Sequence, residues 1–234
     1  MNKLIVITGG TKGIGRALVL RFAENGFNII TCARNEADLE VLKEEVEKAY
    51  NSKVYVKAAD LSIREDVTDF ADFVLKTTSQ VDVLVNNTGV FLPGSIQDEP
   101  EGNLEMMMNT NLFSAYHLTR ALLPTILPHK KGHIFSMSSI AGITAYASGG
   151  SYSITKYAMQ GFTKCLREEL KEEGVKVTAV LPGATFTASW EGVDLPHERF
   201  MKAEDVAESV WSAYSLSDRT VVEEIVLRPQ LGDI

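Results

Sequence analysis

The first fifteen residues constrain the fold most. Leu4-Ile5-Val6-Ile7 is a short apolar run rich in β-branched residues and reads as a buried strand. It stops at Thr8-Gly9-Gly10-Thr11-Lys12-Gly13-Ile14-Gly15, and 16–25 then carries a helical pattern. Strand, glycine turn and helix in that order aim free backbone N–H groups at a phosphate. Glycine serves where a backbone turns sharply or where helix and strand pack closely. The spacing is Gly9-x-x-x-Gly13-x-Gly15, not the Gly-x-Gly-x-x-Gly dinucleotide fingerprint. Two readings follow, a nucleotide cradle or a strand-to-helix turn with no ligand, and the density of small residues favours the cradle.

Beyond that unit the pattern alternates. Strands are expected at 28–33, 53–59, 81–85, 132–137, 175–181 and 220–227, and helices at 36–50, 63–79, 103–127, 151–173 and 203–214. Ala184 to Phe200 has no clear period. No repeat, low-complexity tract or linker interrupts the 234 residues, so the expectation is one α/β domain over 1–234, a doubly wound parallel sheet of about seven strands with helices on both faces. The formal charge of −8 argues against nucleic-acid or anionic-membrane partners. Cys32 and Cys165 have the spacing of neither a metal site nor a redox pair. With no leader-like start and no long apolar run, the expected location is cytoplasmic, without metal or membrane.

Ligands of such sheets lie beyond the carboxyl ends of the strands, so those ends were read for chemistry. The second strand ends in Ala33-Arg34, with no acid to hold a ribose 2′-hydroxyl, and Lys12 lies in the nearby turn. Two cations suit the 2′-phosphate of NADP; as an alternative they are solvated surface charges. The third strand ends in Asp60-Leu61, where the carboxylate meets an adenine amino group, caps the next helix, or does both. Asn86-Asn87-Thr88-Gly89 closes the fourth strand, by turn chemistry or by cofactor contact. Asn111 sits unfavourably in the middle of the expected 103–127 helix, as a functional or an exposed residue. The fifth strand runs into Ser138-Ser139, and the sixth into Pro182-Gly183. Tyr152 and Lys156 are four apart on one helix face. At about 4 Å and an effective dielectric of about 20, an ammonium stabilises a phenolate by roughly 4 kcal/mol, enough to bring a phenol from about 10 to near neutrality.

Together these motifs resemble the short-chain dehydrogenase/reductase family over essentially the full length, which implies a Rossmann-type fold. Thr8-Gly9-x-x-x-Gly13-Ile14-Gly15 is similar to that family's cofactor turn, and Asn111, Ser139, Tyr152 and Lys156 fall where it carries its catalytic tetrad. The resemblance implies NADP as cofactor, held by Gly9, Thr11, Lys12, Gly13, Ile14, Gly15, Arg34, Asp60, Leu61, Asn87, Gly89, Tyr152, Lys156, Pro182, Gly183 and Thr187. Thr88 departs from the family's usual alanine and implies a packing change. Also implied is hydride transfer to a carbonyl, with Tyr152 as proton donor, Lys156 lowering its pKa, Ser139 bonding the carbonyl oxygen and Asn111 holding a water that links Lys156 to solvent. The implied lid is 184–200, with Phe186 and Trp190 facing Phe91 to Ile96. The stretch 182–190 and the tail 219–229 look similar to bacterial sepiapterin-reductase-like members, which implies a pterin or another diketone as the small carbonyl or alcohol substrate. The family also implies a homodimer or homotetramer built on the two long helices. The alternatives are an NADP-binding regulator without turnover and an NAD-linked alcohol dehydrogenase.

Overall fold

The computed structural model describes residues 2–187 and 194–234. Its strands are β1 (Leu4–Thr8), β2 (Asn28–Ala33), β3 (Val54–Ala58), β4 (Val83–Asn86), β5 (Gly132–Met137), β6 (Val175–Pro182) and β7 (Glu224–Leu227). They form one parallel sheet in the order β3-β2-β1-β4-β5-β6-β7. The order reverses between β1 and β4, where Val6 pairs with both Ile30 and Leu84. A crevice opens at such a switch point because the flanking connections leave toward opposite faces.

Strand alternation splits the core into two layers. Ile5 and Ile7 face Leu18 and Phe22 of α1 (Gly13–Glu24), Leu42 and Val46 of α2 (Glu36–Ala49), and Val206 and Val210 of α7 (Ala203–Ser215). Leu4 and Val6 face Phe70 and Val74 of α3 (Arg64–Thr77), Leu118 and Leu122 of α5 (Ser114–Ile126), and Leu166 and Leu170 of α6 (Gly150–Leu170).

Three elements differ from the sequence expectation. The helix expected at 103–127 is α4 (Asn103–Met108), a π-helical turn at Asn109–Phe113, and then α5. The π turn coincides with Asn111, whose side chain is drawn into bonds with β4's loop rather than exposed. Such turns carry an extra residue per turn and mark functional positions. The last strand is shorter, Glu224–Leu227, and its approach at Val222 is fixed instead by the Thr178 hydroxyl, which donates to Val222 O at 2.6 Å. The fourth strand begins at Val83 because Asp82 ends its lead-in, accepting from Leu4 N at 2.8 Å. Within 184–200, Thr185 bridges Met201 and His197–Arg199 forms a single 3-10 turn. Trp190 lies outside the described residues.

Phe22 joins α1 to α7 through edge-on contacts with Phe27 and Trp211, at 5.1 and 5.3 Å between centroids. It is fully buried. Phe22→Ala is expected to destabilise the chain by about 3–5 kcal/mol, read from the urea midpoint. A loss below about 1 kcal/mol would mean that α7 does not lean on this ring.

Candidate active site

The site begins with the turn that follows β1. Gly9 and Gly13 have φ of +70° and +52°, a region costly for residues with a Cβ. A Cβ on Gly15 would lie 2.0 Å from Gly9 O, so helix and strand meet there without a side chain between them. α1 then starts with no acid in its first turn and no side-chain cap from Lys12. Its leading N–H groups and helix dipole are left for an anion. These features suit the pyrophosphate of a dinucleotide.

A cleft of about 630 Å³ runs from this turn past Arg34, Asp60 and Leu61 to Asn87 and Gly89. It joins a second cavity of about 370 Å³ that Tyr152, Lys156, Ser139, Pro182 and Gly183 line. Ile14, Asn87, Gly89, Val90 and Thr187 line both. Every residue assigned to the cofactor from the sequence therefore borders one continuous crevice, and Thr187 crosses above the turn, where a Cβ on Gly13 would meet its Cγ2 at 2.9 Å. Asn111, expected from the sequence in the catalytic set, lines neither cavity and is fully buried.

Local bonds refine several expectations. Asn87 acts as turn chemistry and as lining together: its Nδ2 donates to Thr8 O at 2.8 Å and Gly9 O at 3.2 Å. Thr88 fits, its Oγ1 lying 3.0 Å from where a Gly9 Cβ would stand. Asp60 does not cap α3, whose N-cap is Ile63 without a side-chain bond. Its Oδ1 instead accepts from the backbone and hydroxyl of Ser62, at 3.0 and 2.8 Å, because the turn places Ser62 within reach. Lys12 is not a free cation, since it pairs with Asp38 at 3.5 Å. The sequence reading missed Asp38, although Asn35 capping the α2 start, with Asn35 Oδ1 accepting from Asp38 N at 3.2 Å, is a readable signal. Phe186 leaves the expected apolar wall and packs on His197, 4.1 Å between centroids. Ile96 is 73% exposed on the outer surface. Phe91 stays, edge-on to Tyr152 at 4.8 Å. Tyr146, Ile140, Asp233 and Ile234 join the cavity. The tail arrives through β7's pairing with β6, which no local pattern announces.

The catalytic candidates are held tightly. Asn111 Oδ1 accepts from Val90 N at 2.7 Å, and Asn111 Nδ2 donates to Val90 O and to Thr155 Oγ1, both at 3.0 Å. This ties the loop after β4 to α6, and the side-chain amide is spent on it. Ser139, the N-cap of a 3-10 turn, accepts from Ala141 N at 3.1 Å and donates its hydroxyl to Pro182 O at 3.4 Å, on the lining of the cavity. Lys156 Nζ donates to Met137 O at 2.9 Å and stands 5.5 Å from the Tyr152 ring centroid.

The electrostatics differ from the expected lowering of the phenol by Lys156. Burial pushes Tyr152 up to about 12, the neighbouring Ser139 hydroxyl opposing the shift and Tyr146 adding to it. Burial also brings Lys156 down to about 8. Desolvation penalises both charged forms, and the ammonium is turned toward Met137 O rather than toward the phenol oxygen. The arrangement holds a proton on Tyr152 at neutral pH, the state a general acid needs.

The chain matches the short chain dehydrogenase family model over residues 3–196. It is 35% identical over 242 residues to a sepiapterin reductase of Chlorobaculum tepidum, covering 100% of this chain and 99% of that one. Among solved structures it is similar to a metagenomic short-chain oxidoreductase in complex with NADP, with a TM-score of 0.85, 28% identity and 97% of each chain covered. It is also similar to an alcohol dehydrogenase from the archaeon Thermococcus sibiricus complexed with 5-hydroxy-NADP, with a TM-score of 0.93, 26% identity, and 100% and 99% of the two chains covered.

The lowered Lys156 has a consequence for stability. Its folded value is about 8, against about 10.4 in an unfolded chain. Between these the unfolded state binds the extra proton, so this group's contribution to stability rises with pH. The stability difference between wild type and Lys156→Met is therefore expected to grow in favour of wild type from about pH 8 to 10, read as urea midpoints. A constant or shrinking difference would contradict the buried, desolvated lysine.

Proposed function

The chain belongs to the short-chain dehydrogenase family, and on that footing we propose that it is an NADPH-dependent reductase, acting reversibly on a small carbonyl or alcohol. The observation that carries this reading is the continuity of the two cavities, which puts Tyr152 and Ser139 on one wall and the glycine turn at the far end. NADPH, when bound, supplies the hydride. The α1 N-terminus takes the pyrophosphate, Lys12 and Arg34 the 2′-phosphate, Asp60 and Leu61 the adenine, and Pro182, Gly183 and Thr187 the nicotinamide amide.

The chain's own residues handle the proton. Tyr152 Oη, which burial keeps protonated at neutral pH, delivers it to the carbonyl oxygen. Ser139 Oγ donates a hydrogen bond to the same oxygen and stabilises its growing charge. Lys156 binds the nicotinamide ribose, and Asn111, whose amide is spent on Val90 and Thr155, holds the Val90 loop against α6 rather than carrying a water with its side chain. A Lys156 value near 8 lets that ammonium give up and regain a proton close to neutral pH.

The substrate wall favours a flat, conjugated molecule. Phe91 stands edge-on to Tyr152, with Ile140 and Tyr146 beside them, a surface suited to stacking. This agrees with a pterin or another diketone; of the lid expected at 184–200, residues 188–193 lie outside the described residues. Phe113, Tyr116, Ile154 and Tyr157 are exposed on α5, α6 and the π turn between α4 and α5. Such an apolar face fits burial in a homodimer or homotetramer, in the cytoplasm.

One observation favours a second reading. Asp38 competes for Lys12, which would relax the preference toward NAD. Initial rates with NADPH and NADH, against sepiapterin, simple diketones, aromatic aldehydes and a β-ketoacyl thioester, separate the readings. Turnover with NADPH is expected, and Arg34→Ala is expected to raise the KM for NADPH by about tenfold or more while leaving that for NADH unchanged. Equal use of both cofactors by wild type would favour the NAD-linked reading, and no turnover with any substrate would overturn the reductase assignment for this panel.

A further inference from the structure

Tyr152 is the third residue of α6, so its place depends on how that helix starts. The start has no support of its own. Gly149 gives no side-chain cap, and the first turn, Gly150-Ser151-Tyr152, carries no acid. The approach is strained, since Ser148 has φ of +62° and Gly150 +28°. A non-glycine residue holds such a conformation only where its surroundings enforce it.

The enforcement comes from about fifty residues away. In the loop between β4 and α4, Gly94 N donates to Ser148 O at 3.0 Å. The Ser151 hydroxyl, 2% exposed, donates a short hydrogen bond to Glu99 Oε1. Glu99 Oε2 is buried without a hydrogen-bond partner among the described residues, and a Cβ on Gly150 would lie 3.3 Å from it. The same Cβ would lie 2.4 Å from Gly94 O, so only glycine lets the loop rest on the helix end. Glu99 is itself braced, its N–H donating to Ser95 O at 2.9 Å. A carboxylate facing the positive end of a 21-residue helix is well placed, and an orphan carboxylate oxygen costs least there.

We propose that Glu99 is a positioning residue for the proton transfer: its carboxylate, bonded to Ser151, serves as the missing N-terminal cap of α6 and locks the Phe91 loop to the helix that carries Tyr152. This couples two walls of the reaction cavity, because Phe91 opens the braced loop and packs edge-on to Tyr152. The loop's covalent route to α6 passes through α4, α5 and β5, so the Glu99–Ser151 and Gly94–Ser148 bonds at the helix start, and the Asn111 bonds to Val90 and Thr155 one turn further on, are the short paths between the walls. The inference rests on the reading of Tyr152 as proton donor. The phosphate and adenine end of the crevice is built mainly by the turns after β1, β2 and β3, and it meets the loop after β4 at 87–90, ahead of the Gly94 and Glu99 contacts.

The test uses Glu99→Ala, Glu99→Gln, Ser151→Ala and the double alanine variant. Three readouts are taken: kcat with NADPH and a carbonyl substrate, the Kd for NADPH by fluorescence, and hydrogen exchange of the α6 first-turn amides. Glu99→Ala is expected to lower kcat about tenfold, leave the NADPH Kd within twofold and speed first-turn exchange. Glu99→Gln, which keeps an acceptor for Ser151, is expected to regain most of kcat. Ser151→Ala is expected to match Glu99→Ala, with the double variant no worse than either. A kcat within twofold of wild type in Glu99→Ala overturns the proposal, and so does a parallel loss of NADPH binding, the mark of a general folding defect. If wild type itself shows no turnover, the reductase reading fails separately, and the exchange measurement still decides: first-turn exchange in Glu99→Ala no faster than in wild type overturns the brace.

Discussion

The active crevice depends on the hydrogen bonds that cross from β1 to β4 at the point where the sheet's strand order reverses. Thr8 Oγ1 accepts from Asn87 N and Thr88 N, each at 2.9 Å, while Asn87 Nδ2 donates back to Thr8 O and Gly9 O. Sheet pairing ends at Val85 opposite Ile7, so side chains must take over where the ladder stops. They hold the glycine turn and the Asn87–Gly89 turn in fixed relation, and those two turns form the shared border of both cavities. This clasp is what sets the uncapped start of α1 and the wall that carries Tyr152 and Ser139 about neighbouring cavities.

Around that clasp the site works by desolvation. Burial raises Tyr152 and lowers Lys156, so each leans toward its neutral form. Burial thus keeps the proton on the phenol and the lysine close to exchange at neutral pH, while the raised phenol leaves the driving force for proton transfer to the growing charge on the substrate oxygen. The supporting bonds reach across the molecule. Asn111 ties Val90 to Thr155, Lys156 ties α6 to Met137 at the end of β5, and Glu99 ties the loop after β4 to the start of α6. Residues that deliver the chemistry are thus fixed from three directions, as geometric precision in a proton transfer requires.

Much of this was legible in the chain because the signals are local. Apolar runs mark all seven strands, and the strand–glycine–helix unit at 4–25 forms as the sequence reads, with its helix N-terminus uncapped. The residue types at the strand ends, Arg34, Asp60, Asn87, Ser139 and Pro182, do border the crevice, since a parallel sheet brings all its carboxyl ends to one edge. What escaped depends on distance in the sequence. Ile234 and Asp233 reach the cavity through strand pairing at the sheet's edge. Phe186 turned to His197, a choice of rotamer and loop path that spacing does not encode. The π turn at Asn109–Phe113 replaced a continuous helix because Asn111 satisfies its amide on a loop twenty residues upstream. The phenol's electrostatics were misjudged for a related reason: a four-residue spacing places an ammonium near a tyrosine but says nothing of the carbonyl, here Met137 O, that claims it.

The central claim is that Tyr152 holds and delivers the proton while other parts of the crevice bind the dinucleotide. It is tested most directly by comparing Tyr152→Phe with wild type in two assays, steady-state NADPH oxidation with the best carbonyl substrate and NADPH binding by fluorescence titration. A fall in kcat of about a hundredfold or more is expected, with an NADPH Kd within a fewfold of wild type. A variant that retains full turnover, or one whose lost turnover is explained by lost NADPH binding, would contradict it.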